Sequence, residues 1–127
     1  MYLSYIIKER LLFEGKFMYK NIELSKVMKL ADEMTYLDHQ VSSKTIAQNK
    51  YVSITLFAFD KDEEISAHKS RGDAMVTILD GKARITIDQK EYHLEKNESI
   101  IMPAGILHAL YATERFKMVL TQVFPVE

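Results

Sequence analysis

Four histidines, at positions 39, 68, 93 and 108, are the residues of this chain best suited to chemistry, and it has no cysteine. Any metal must therefore be held by nitrogen and oxygen donors, and thiolate chemistry is excluded. The local sequence separates the four. His39 lies in the polar stretch Asp38-His39-Gln40 and reads as solvated. His93 stands between Tyr92 and Leu94, so if Leu94 faces a core, strand alternation sends His93 to the surface. His68 and His108 each sit beside a turn at a strand end, where side chains from distant parts of a sheet can converge. No nucleophile is paired with a histidine and no two carboxylates converge at a readable spacing, so no reaction can be assigned.

The elements that must position these two histidines read as strands. Tyr51 to Phe59 is rich in β-branched and aromatic residues and is broken by the charged turn Asp60 to Glu64. Ala74 to Leu79 runs into Asp80-Gly81, which predicts a type I′ hairpin because such a turn needs positive φ. Lys82 to Asp88 then alternates Ala83, Ile85 and Ile87 with polar residues, a period of two with one buried face. Glu91 to Leu94, Ser99 to Met102, Leu107 to Ala112 and Phe116 to Phe124 complete the series. Turns fall at Asp88 to Lys90, Lys96-Asn97 and Pro103 to Gly105. Asn21 to Met34 carries a weak apolar pattern that predicts a short strand plus a helical turn. Many short strands without a long helix predict an all-β antiparallel sandwich or barrel, and its short loops put any small-molecule site inside the barrel mouth.

The 127 residues suit one domain, here 21–127, preceded by an extension or arm over 1–20. Glu14-Gly15 can be encoded by a purine-rich ribosome-binding sequence just upstream of Met18. That makes Met18 a second candidate start beside Met1; the alternative is a real N-terminal strand from Tyr2 to Ile7. Seventeen basic and eighteen acidic residues give a net charge of −1, so neither nucleic acid nor an anionic membrane is an expected partner. The N-terminus lacks the charged leader and cleavage site of a secretory signal, and a cytoplasmic location is the expectation.

Two segments resemble the paired motifs of the cupin family. Asp62 to Gly81, containing His68, Ser70, Asp73 and Ala74, is similar to the first motif. Asn97 to His108, with Pro103, Gly105 and His108 at the family spacing, is similar to the second. Together with the strands around them, the resemblance covers Tyr51 to Phe124. It implies a small cupin type-2 conserved barrel, an RmlC-like jelly roll or double-stranded β-helix. Asn97 replaces the usual leading glycine, a tolerable exchange because asparagine also enters the left-handed conformation. Metal-holding cupins commonly use two histidines one residue apart, a glutamate, and the histidine of the second motif. Here the first and last positions match His68 and His108, the second is Ser70 and the glutamate position is Ala74. Asp73 lies one residue early, on the opposite strand face unless the preceding loop is shifted.

The resemblance implies two functions. In the first, the barrel binds a small molecule in a pocket with His68, Ser70, His108, Phe57 and Met102, with no certain cofactor. In the second, His68, His108 and Asp73 hold iron, manganese, nickel or zinc in a dioxygenase- or isomerase-like enzyme. Pairing into a homodimer is expected under either, with Tyr51 to Phe59 as an edge that would gain cover.

Overall fold

The computed structural model describes residues 18–126. Most of the expected arm, including Tyr2 to Ile7, lies outside the described residues. Eight strands follow in order: β1 (Val41–Gln48), β2 (Val52–Phe59), β3 (Glu64–His68), β4 (Asp73–Ile87), β5 (Lys90–Glu95), β6 (Ser99–Met102), β7 (His108–Tyr111) and β8 (Phe116–Val123). Every pairing is antiparallel, in the order β1-β2-β8-β4-β7-β3, with β5 and β6 also pairing β4. The result is the all-β curled sheet of a jelly-roll barrel. Among the described residues no helix is long and apolar enough to cross a membrane.

β4 organises the barrel, because it belongs to both of its walls. Its first half pairs β6 and β8 in one wall, sheet A, and its second half pairs β5 and β7 in the other, sheet B. Asp80-Gly81 is therefore not the hairpin turn that the sequence predicts. The chain continues through it, pairing Asp80 with Lys117 and Gly81 with Phe116, with a register shift between Ile78 and Asp80. The shift has a reason in the side chains. Ala74, Val76 and Ile78 are buried before the corner and Ala83 and Ile85 after it. The buried positions change from even to odd, and a one-residue slip is what keeps the apolar set on the interior face while the strand changes walls. Gly81 supplies the positive φ of +76°, and a Cβ there would fall 1.7 Å from the Arg115 carbonyl oxygen. The real two-residue hairpin is Asp88-Gln89, where Ile87 pairs Lys90 and Asp88 has φ 57°.

Two apolar layers flank sheet A. Inside the barrel Phe59, Val76, Ile78, Ile85, Met102, Phe116 and Met118 form the core, and the Phe59 and Phe116 rings stack at 4.3 Å. Outside, Ile22, Leu30, Met34 and Tyr36 cover Ile46, Leu56, Ala58 and Val119. Asn21 to Met34 thus packs as a cover with a 3₁₀ turn at Leu30–Glu33, without the expected strand. Asn21 and Ser25 both take positive φ and interrupt extended backbone. The cover is pinned by Lys117 Nζ donating to the Ala31 carbonyl (2.6 Å) and Tyr36 OH donating to Asp80 (2.6 Å). Arg115 donates to Asp60 (2.7 Å) and to Asp38 (2.8 Å). β2 is not an edge: β1 and β8 flank it, so the cover expected from a second copy is supplied within the chain.

Candidate functional site

His68 ends β3 and His108 begins β7, and the two are cross-strand partners. One rim of the barrel therefore carries both, 40 residues apart in sequence. The loops beyond them are tied together. The Gly105 amide donates to the Ser70 carbonyl (2.9 Å) and the Asp88 amide to the Leu107 carbonyl (2.7 Å). The Ala104 amide donates to Asp73 Oδ1 (2.9 Å). Gly105 takes φ +76° with open space around it, so this turn needs glycine for its backbone and not for its neighbours.

The rings meet through their Nε2 atoms, 3.2 Å apart, with centroids at 4.3 Å and planes at 69°. Each Nδ1 faces a main-chain carbonyl two residues back, Ser66 O at 2.8 Å for His68 and Ile106 O at 3.2 Å for His108. A carbonyl oxygen can only accept, so each Nδ1 carries a proton, which leaves Nε2 of each neutral ring as an acceptor. His108 is buried, 3% exposed, whereas His68 is exposed. Burial, reinforced by the neighbouring His68, holds the His108 pKa below the ordinary imidazole value, against the opposing bond to Ile106.

A divalent ion can be tested against this geometry. Two nitrogens each about 2.0–2.1 Å from one ion at the tetrahedral angle lie about 3.3–3.4 Å apart. The observed 3.2 Å between Nε2 atoms is close to that, and the Nδ1 bonds are the orienting contacts that ligating histidines use. The fit is that of a two-donor site. Among the described residues no group of three or more His, Cys, Asp or Glu side chains gathers.

The remaining residues expected at the site take other places. Asp73, read as a third ligand, lies exposed on the face of β4 opposite Ala74, and its carboxylate accepts from the Ala104 amide. It joins the two loops that carry the histidines. Ser70 Oγ accepts from the Gly72 amide (3.2 Å) and shapes the loop after His68. Met102 is core, cross-strand from Ala74, and Phe57 is half-buried, 6.0 Å from Phe59 between ring centroids. His93 is exposed and Leu94 buried, as alternation predicts. His39 is exposed, with φ 58°. Sequence reasoning missed the polar residues lining sheet A, such as Thr45 and Thr55, whose hydroxyls lie 3.2 Å apart. The signal was present in β2, where Ser53 and Thr55 share a face with Phe57 and Phe59.

Comparison with known proteins agrees with this architecture. The cupin domain family model matches residues 55–124. A conserved protein of unknown function from Streptococcus pyogenes has 46% identity and a TM-score of 0.85, covering 90% of this chain and 100% of its own. A cupin superfamily protein from Desulfitobacterium hafniense has 32% identity and a TM-score of 0.81, covering 84% of this chain and 98% of its own. The structure of KdgF from a Halomonas species shares the fold at 15% identity and a TM-score of 0.64, over 75% of this chain and 92% of its own. No curated protein matches the chain. The paired motifs, the curled eight-stranded sheet and these matches together place the chain in the cupin family.

Proposed function

We propose that this protein binds a small molecule inside the barrel mouth, and that His68 and His108 anchor it through a divalent cation held between their Nε2 atoms. The observation that carries the reading is the pair itself: two Nε2 atoms 3.2 Å apart, each ring fixed by a backbone carbonyl. Neutral rings so arranged repel, and a cation between them turns that repulsion into attraction. With only two protein donors, the ion keeps positions for ligand oxygens or water, and when bound it supplies a positive charge that draws and polarises an anionic oxygen. The chain's own contribution is orientation. Three ties between the loops hold the rims together, and burial keeps His108 in the neutral form a cation requires.

A metal-dependent enzyme using Asp73 as a third ligand gains no support from this geometry, because that carboxylate faces Ala104. Elemental analysis of protein purified without chelator or nickel resin, followed by zinc titration, tests the reading. One equivalent of zinc in the wild type, lost in both His68→Ala and His108→Ala, is expected. No metal even after reconstitution would leave the imidazoles as a metal-free polar anchor and end the cation reading.

A further inference from the structure

We infer that the outer face of sheet A is an interface between two copies of this chain, related by a two-fold axis. The inference is independent of the imidazole pair. The two walls of the barrel offer an internal comparison, because cross-strand partners share a face and each wall has an outward row that crosses four strands. On the outer side of sheet B the row is Glu64, Tyr111, Arg84 and His93. Every member is ionisable, as suits a face in water. On the outer side of sheet A the row is Ile54, Thr121, Met75 and Ile101. It holds no charge, and Met75 and Ile101 are 40% and 56% exposed.

The rows on either side fit the same purpose. Two residues along lie Leu56, Val119, Thr77 and Ser99, of which Leu56 and Val119 are under the cover segment. The Thr77 and Ser99 hydroxyls bond one another at 2.7 Å, so each keeps a partner when water leaves. In the other direction lie Val52, the exposed Val123 and Asp73, whose carboxylate puts the first charge at the border. An apolar centre with a polar margin is the anatomy of a protein interface.

The face also carries both halves of a fit. Ile101 stands at one end, on β6, which pairs only β4 among the described residues. At the other end, beside Ile54, a groove of about 360 Å³ opens between the sheet and the cover, lined by Leu24, Met28 and Val119. Three strand spacings, about 14 Å, separate the two ends. A two-fold axis lying in the interface along the strands, between β8 and β4, exchanges them. It seats Ile101 of each copy against the groove of the other, which makes the surface self-complementary. Five strands at about 4.8 Å and five residues of each at about 3.3 Å give a face of roughly 24 by 16 Å in projection. Side-chain relief and the adjoining cover bring it towards the roughly 800 Å² that each partner gives a standard interface. A net charge of −1 leaves two copies little to repel.

Sedimentation velocity of the full chain at about 10 μM is expected to give the mass of two chains. Ile101→Glu and Met75→Glu each put a charge into the apolar centre and are expected to weaken the dimer at least about 100-fold. Both side chains are exposed in the single chain, so far-UV circular dichroism and the urea midpoint are expected to stay at wild-type values. His93→Glu, on the outer side of sheet B, is expected to leave the dimer whole. Peroxide oxidation of Met75, read by mass spectrometry, is expected to be slow in wild type and fast in Ile101→Glu. A monomeric wild type, a dimer that survives both substitutions, or one that His93→Glu dissolves equally overturns the inference. A monomer in which Met75 is protected overturns it too, and assigns the face to another part of the chain, such as residues 1–17.

Discussion

Gly81 and Gly105 offer a controlled measurement of what the β4 corner demands, because both have φ +76° and they differ in what surrounds them. Gly105→Ala adds a Cβ into open space, so its cost is the left-handed backbone alone, about 1–2 kcal/mol. Gly81→Ala has the same backbone cost, but its Cβ would lie 1.7 Å from the Arg115 oxygen and 2.8 Å from Phe116 Cα. Neither neighbour yields easily. Arg115 is held by Asp60 at 2.7 Å, and Phe116 is completely buried and stacked on Phe59. Moving this backbone is overpacking, about 1–3 kcal/mol more. Urea unfolding followed by circular dichroism, with slopes checked for constancy, is expected to give about 2–5 kcal/mol for Gly81→Ala and about 1–2 kcal/mol for Gly105→Ala. Equal losses at the two positions, or a larger loss at Gly105, would refute the argument that the corner is set by close approach as well as by φ.

Other outcomes follow from single contacts. Asp73→Asn keeps an oxygen to accept from the Ala104 amide, so zinc affinity is expected to stay within about threefold of wild type, below the roughly 10- to 100-fold losses seen at groups that orient ligands; a larger drop in isothermal titration would return Asp73 to the ligand set. The His39 amide and the Arg115 guanidinium hold the Asp60 carboxyl down at about 2, against 3.8 unperturbed. The folded value is depressed, so its stabilisation is complete above about pH 4 and is lost as pH falls through 2. Asp60→Asn is therefore expected to lower the urea midpoint at pH 7, with the gap to wild type closing towards pH 2; a gap independent of pH would contradict the ionic role. Phe116→Ala removes a completely buried ring stacked on Phe59 and is expected to cost about 3–5 kcal/mol in the same unfolding assay, while a loss under 1 kcal/mol would mean the barrel floor repacks freely.

The strands legible in the sequence were those that fill the core from both of their neighbours. β2, β5, β6 and β8 carry enough apolar residues at period two to be read alone, and Asn97 enters positive φ, 73°, at the position where glycine was expected. β1 and β3 were not legible. Val-Ser-Ser-Lys-Thr-Ile-Ala-Gln and Glu-Ile-Ser-Ala-His have little alternation, and they become strands because β2 and β7 offer unpaired edges. Asp80-Gly81 misled for a related reason. The residue types do report a positive φ, but whether the chain reverses there or turns a barrel corner depends on β8 lying alongside, more than 30 residues later. At the candidate site the two histidines were legible from motif spacing. The destination of Asp73 was not, since it depends on an amide 31 residues away.

Two backbone carbonyls decide what the histidine pair can be. With a free Nδ1, one ring could turn its proton to Nε2 and donate to the other, and the pair would be a closed, neutral hydrogen bond. Ser66 O and Ile106 O remove that choice by holding the protons on the far side of both rings. An Nε2 to Nε2 approach of 3.2 Å then brings two acceptors together, and an added proton or the proposed metal ion between them would relieve their repulsion. The two compete for the same place, so metal uptake releases a proton and weakens as pH falls. Either occupant would present a positive charge at the barrel rim. The ligand proposed above would meet that charge with an anionic oxygen.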